Sequence, residues 1–149
     1  DVALAKQLLQ ADKGGKIQLP KDHVTSTEFG GAPLACNGTN IPEDQMGLDI
    51  GPLTIKSYSD HLKTAKTIFW NGPMGLFENK DFSKGTMSIA HTIAESQAFS
   101  VVGGGDSVAA VQQSGEADKF SHVSTGGGAS LEFIEKGELP GVQALKFGV

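Results

Sequence analysis

Cysteine, tryptophan and tyrosine occur once each in these 149 residues, and basic side chains number only 12 against 17 acidic ones. One cysteine cannot pair within the chain, so a disulfide framework is excluded and a reducing, cytoplasmic setting is expected. Cys36 reads as a small buried apolar residue, with a reactive thiol as the alternative. The net charge of −5, with Lys and Arg scattered along the chain, argues against nucleic acid as a partner. No apolar run reaches the roughly 18 residues of a membrane span, so no membrane partner is expected. His23, His61, His91 and His122 lie far apart in sequence and form no zinc-ligand spacing. A G-x-S-x-G nucleophile elbow is missing too, as is the Walker A pattern.

Glycine is plentiful, and two triplets of it are the most informative feature present. Ser100 to Ala109 reads SVVGGGDSVA and His122 to Leu131 reads HVSTGGGASL. Each follows a β-branched run and leads into helix-forming residues, the pattern of a strand delivering its backbone to a helix start. A helix N-terminus carries unpaired N–H groups and partial positive charge, and glycine lets an anion approach the backbone with no Cβ in the way. Two such cups suggest a phosphorylated ligand. The dinucleotide fingerprint G-x-G-x-x-G fails at both, since Val108 and Leu131 stand at the sixth positions. A plain strand-to-helix turn is the other reading of either triplet.

The rest of the chain alternates in a β-loop-α rhythm. Asp1 to Lys13 has helical apolar spacing, and the chain opens on it without an initiating Met, which suggests a fragment. Lys16 to Pro20 (KIQLP) reads as a short strand. Asp22 to Pro52 breaks into small antiparallel pieces, and Thr54 to Lys66 is a helix with Thr54 or Ser57 as cap. Thr67 to Trp70 (TIFW) reads as a strand covered on both faces, ending in the turn Asn71 to Gly75. Gly85 to Ser96, Ser107 to Gln113 and Ala129 to Lys136 are further helices, and Ser100 to Val102 and His122 to Ser124 further strands. The expected fold is a three-layer α/β/α domain with a mainly parallel, Rossmann-like sheet and a small antiparallel appendage. Its ligand should lie beyond the carboxyl ends of the strands.

Two acids stand beside these loops. Asp106 could cap its helix, or could hold a hard cation such as Mg²⁺ whose charge offsets that of phosphates. Glu78 could be a solvated surface acid or an acceptor for ribose hydroxyls.

WNGPMGLFE (Trp70 to Glu78), VVGGGDS (Val101 to Ser107), HVSTGGGASLEFIEKGELPGV (His122 to Val142) and MGLDIGP (Met46 to Pro52) closely resemble the nucleotide-binding C-terminal domain of the phosphoglycerate kinase family. The resemblance runs through essentially the whole chain. It implies that residues 1–149 are part of that domain of a monomeric, two-domain glycolytic enzyme. Such enzymes move a phosphoryl group between 1,3-bisphosphoglycerate and MgADP, giving 3-phosphoglycerate and MgATP. The resemblance implies Gly47 and Leu48 at the adenine, Asn71, Gly72, Met74 and Phe77 shaping the nucleotide site, and Glu78 at the ribose. Gly104, Gly105, Asp106 and Ser107 would hold the phosphates, with Asp106 serving Mg²⁺. Ser107 stands where many members have Thr, which keeps the hydroxyl. Gly126, Gly127 and Gly128 would face the transferring phosphoryl group, and Ser124 and Thr125 would lie at a hinge. The N-terminal domain that binds the triose is not in this sequence, nor is the opening of the C-terminal domain with its glycine and lysine motif. The resemblance therefore implies a chain that binds nucleotide and does not turn over alone; a non-catalytic nucleotide- or phosphate-binding module is the alternative.

Overall fold

Local periodicity decides most of the element order. A computed structural model describes residues 1–147. Helix α1 (Val2–Ala11) is followed by strands β1 (His23–Ser26), β2 (Leu34–Cys36) and β3 (Met46–Ile50). Then come α2 (Pro52–Leu62), β4 (Thr67–Trp70), α3 (Lys84–Ala94), β5 (Phe99–Val102), α4 (Gly105–Ser114), β6 (His122–Val123), α5 (Ala129–Lys136) and α6 (Pro140–Phe147). Short 3-10 turns occupy Lys80–Phe82 and Ala117–Lys119.

Two sheets result. β4, β5 and β6 are parallel in that order, and β2, β1 and β3 form an antiparallel sheet with β1 in the middle. The parallel sheet flanked by helices and the small antiparallel appendage are the expected architecture. Register sets which side chains share a face: Ile68 pairs with Ser100 and Trp70 with Val102. All four are buried, and Ile89, Ile93, Ala110 and Val111 from α3 and α4 complete that core. Phe69 and Phe99 point the other way and are 36% and 57% exposed. The TIFW strand is thus covered on one face rather than two, because its run of large side chains hides an ordinary two-residue alternation.

Three further expectations are corrected. Lys16 to Pro20 runs as unpaired chain, not a strand: Asp12 takes the amides of Lys16 and Ile17, and Tyr58 bonds the Gln18 carbonyl, so no ladder is available there. Helix α2 starts at Pro52, whose ring supplies the helical φ, and its cap comes from a distant residue. Asp22, 2% exposed, accepts the amides of Leu53 and Thr54 at 2.9 and 2.7 Å and the Thr54 hydroxyl at 2.6 Å. Thr54 Oγ1 in turn accepts the amides of Lys21 and Asp22. Cys36 sits half-buried on β2 with its thiol donating to the Asn40 carbonyl, not in the core. Helix α6 is an addition, started by Pro140 at a position where proline is well tolerated.

Candidate nucleotide site

Three parallel strands in adjacent register bring their carboxyl ends to one edge, and the loops that leave them are bonded to one another. The Gly103 amide donates to the Trp70 carbonyl at 2.8 Å, and the Ser124 amide to the Val102 carbonyl at 2.9 Å. Ser107 Oγ, on a side chain 1% exposed, accepts the Gly72 amide at 2.5 Å. The Asn71–Gly75 turn, the first triplet and the approach to the second therefore form one rim. Neutral serine and threonine hydroxyls do much of this joining: Thr86 Oγ1, fully buried on α3, accepts the amides of Met74 and Gly75 at 3.0 and 3.3 Å. Trp70 stacks on Phe120 with ring centroids 6.3 Å apart and donates its Nε1 to the Gly72 carbonyl at 2.8 Å. Position spacing carries no sign of Thr86 or of the indole bond, since both depend on chain segments meeting in space.

At the first triplet, Gly104 is the N-cap of α4 with φ of +85°, a left-handed conformation that favours glycine. A Cβ there would also fall 2.9 Å from Asn71 Oδ1. No side chain caps α4, so the amides of its first turn point out of the rim unclaimed by a cap. Asp106 is exposed in that first turn and is not the N-cap, so its carboxylate stands in solvent at the positive end of the helix. Ser107 is turned inward to Gly72. It holds the rim together and does not present its hydroxyl to solvent.

The second triplet is more open. Gly127 and Gly128 have no atom within 4 Å of where a Cβ would stand. The amide of Gly126 is directed to Ser124 Oγ at 3.2 Å, and that oxygen is 2.6 Å from Ser130 Oγ. Ser124 is thus tied by backbone and side chain, whereas Thr125 is exposed. Helix α5 starts at Ala129 with Gly128 as its cap residue and no side-chain cap bond.

Beside the rim lies a cleft of about 460 Å³ lined by apolar groups, among them Phe29, Ile41, Leu48, Met74 and Leu76. Gly47 lies on its wall. The Leu76 amide donates to the Leu48 carbonyl at 2.8 Å, which stitches the turn after β4 to β3. Gly75 has to be glycine, because a Cβ would come within 2.5 Å of both Asp49 Oδ1 and the Leu48 carbonyl. Asp49, 4% exposed, accepts the Gly85 amide at 2.7 Å and the Ile50 amide at 2.9 Å. Burial pushes its carboxyl above the usual range, with the two amides opposing. Asp22 nets out the other way: burial raises it, and the Thr54 hydroxyl and the two amides lower it further.

Of the residues expected in the site, Gly47, Leu48 and Met74 share this cleft, while Asn71, Gly72, Gly104, Gly105, Asp106 and Ser107 make the neighbouring rim. Phe77 is 5% exposed and belongs to the core, and the side chain at the cleft is Leu76. A position shift of one residue on an irregular turn reverses which side chain faces inward, and apolar character alone does not distinguish the two. Glu78 is exposed just beyond the turn. A larger cleft of about 530 Å³ runs along the outer edge of β4 beside Lys16, Gln18 and Tyr58. Neither glycine triplet borders it.

Fold and site together define an α/β domain whose glycine-rich loops and helix starts gather at the tips of parallel strands. The profile described as phosphoglycerate kinase matches residues 1–137, and the chain belongs to that family. The phosphoglycerate kinase of Clostridium novyi is 52% identical over 148 residues, a match that covers 97% of this chain and 37% of that protein. That of Anaeromyxobacter dehalogenans is 54% identical over 145 residues, covering 95% of this chain and 37% of that protein. The structure of phosphoglycerate kinase from Coxiella burnetii superposes with a TM-score of 0.88 at 37% identity, over 97% of this chain and 38% of that one. The chain thus spans a little over a third of the length of the relatives it matches. Among the described residues no helix is long and apolar enough to cross a membrane.

Proposed function

We propose that this chain supplies the nucleotide-holding part of a phosphoglycerate kinase, the greater share of its C-terminal domain. The reaction is reversible phosphoryl transfer between 1,3-bisphosphoglycerate and MgADP, giving 3-phosphoglycerate and MgATP in glycolysis and running in reverse in gluconeogenesis, carried out in the cytoplasm by a monomeric enzyme. The observation that carries this reading is the cross-bonded rim: three neighbouring strand tips, two with glycine triplets and uncapped helix starts.

Each part of a nucleotide has a matching surface. Adenine, flat and largely apolar, suits the cleft of Leu48, Met74 and Leu76, with Gly47 allowing close approach. Phe77 backs that turn from the core, and Glu78 accepts ribose hydroxyls. The amides of Gly104 and Gly105 and the α4 terminus take phosphate oxygens, while Asn71 and Gly72 hold the facing side of the rim and Ser107 locks it. Asp106 fits Mg²⁺: its carboxylate is exposed and makes no ion pair among the described residues. Bound with the nucleotide, Mg²⁺ neutralises phosphate charge. Gly127 and Gly128, with Gly126 completing the turn, aim the α5 terminus at the phosphoryl group in transit, whose charge spreads over its oxygens. The triose is held by the other domain, and closure near Ser124 and Thr125 aligns the two substrates and excludes water.

Titration of the chain with MgADP by calorimetry tests this, with saturable binding expected and a loss of at least tenfold in affinity for Asp106→Asn. A coupled assay should find no phosphoglycerate-dependent ATP turnover by the chain alone. Absence of MgADP binding, or tighter binding of NADH, would overturn the nucleotide assignment. Turnover by the chain alone would overturn the division of labour between domains.

A further inference from the structure

Away from the rim, three metal-ligating side chains converge. His91 and Glu95 lie four residues apart at the end of α3 and share one face of it, and Glu116 reaches them from the turn after α4. Their ligand atoms all lie within 4.8 Å of one another. His91 Nδ1 is 2.8 Å from Glu116 Oε1, and the Glu116 side chain is only 14% exposed, which fixes one corner of the set. A cation already stands in the middle: Lys119 Nζ is 2.5 Å from Glu95 Oε1 and 3.5 Å from Glu116 Oε1.

We propose that this cluster is a site for a divalent transition ion of the Zn²⁺ type, which enters by replacing the Lys119 ammonium. The ligand set is one imidazole nitrogen and two carboxylate oxygens, with room for water as the fourth ligand. Imidazole suits Zn²⁺, whereas Mg²⁺ prefers oxygen alone, so the ion that serves the nucleotide would not compete here. Bonds of about 2.0–2.2 Å to a tetrahedral ion put ligand atoms roughly 3.3 Å apart. No separation need therefore close by more than roughly 1.5 Å, a movement open to His91 and Glu95, whose side chains are 65% and 56% exposed. Lys119 is half-exposed on a flexible stem and can withdraw into water. The bound ion would tie the end of α3 to the chain leaving α4, the helix whose other end opens on the phosphate rim.

The test is Zn²⁺ titration of the nucleotide-free chain in excess Mg²⁺, followed by calorimetry and by histidine ring NMR. One Zn²⁺ per chain is expected, with the His91 resonances moving first among the four histidines. His91→Ala and Glu116→Gln should each weaken binding at least tenfold. Lys119→Met should tighten it at least threefold, because the resident ammonium no longer competes. Retained affinity in His91→Ala, a loss of affinity in Cys36→Ala, or no gain in Lys119→Met would overturn the assignment.

Discussion

Removing one carboxylate, that of Asp22, should destabilise the whole domain although it belongs to neither glycine triplet. Asp22 is buried and accepts three hydrogen bonds from the first turn of α2. In Asp22→Ala two helix-terminal amides and the Thr54 hydroxyl lose their acceptor at once. Hydrogen bonds to a charged group contribute about 1.5–3 kcal/mol each, and a buried donor left unpaired costs a similar amount. Water reaching the helix end recovers part of this, so the expected loss is about 3 kcal/mol, a large share of the roughly 5–15 kcal/mol that holds a typical domain. Asp22→Asn keeps one oxygen and should lose about half as much. The assay is urea unfolding of the three proteins at pH 7, repeated down to pH 3. The folded pKa of Asp22 lies below its ordinary value, so its stabilisation is complete above the unfolded pKa and drains as pH falls through the folded one. The gap between the natural protein and Asp22→Asn should therefore stay level from pH 7 to about pH 5 and shrink near pH 3. A loss under about 1 kcal/mol for Asp22→Ala, or a gap that widens on acidification, would refute the reasoning.

Asp49 should act with the opposite sign: its folded pKa is raised, so its contribution favours the fold below the unfolded pKa and is lost as pH rises through the folded one. Titration of its carboxyl by NMR should therefore give a midpoint above that of an ordinary aspartate. Ser107→Ala should strand the Gly72 amide, costing about 1–2 kcal/mol of stability and weakening MgADP binding in calorimetry. Trp70→Phe keeps the stack on Phe120 but leaves the Gly72 carbonyl without its indole donor, and a loss of about 1 kcal/mol in urea unfolding is expected. Phe82→Ala, at a side chain with no exposure, should cost about 3–5 kcal/mol by the same measurement.

Much of this architecture is written in local pattern. Helical spacing marks α3 to α5 to within a turn and overruns the end of α2 by four residues, the β-branched runs mark β4 and β5, and the triplets mark where the backbone must pass close to something. These properties belong to neighbours in the chain, which is why one sequence suffices to read them. What joins the parts is of another kind. Asp22 meets Thr54 across 32 residues, Gly72 meets Ser107 across 35, and Gly85 meets Asp49 across 36. No periodicity records such meetings. They exist because crossovers and antiparallel register return distant backbone amides to buried acceptors that would be costly to leave unpaired. The same holds for Leu76 and Phe77, both apolar and adjacent, one at the cleft and the other in the core. Only the folded path of the turn, fixed by the Thr86 hydroxyl and the Leu48 carbonyl, chooses between them.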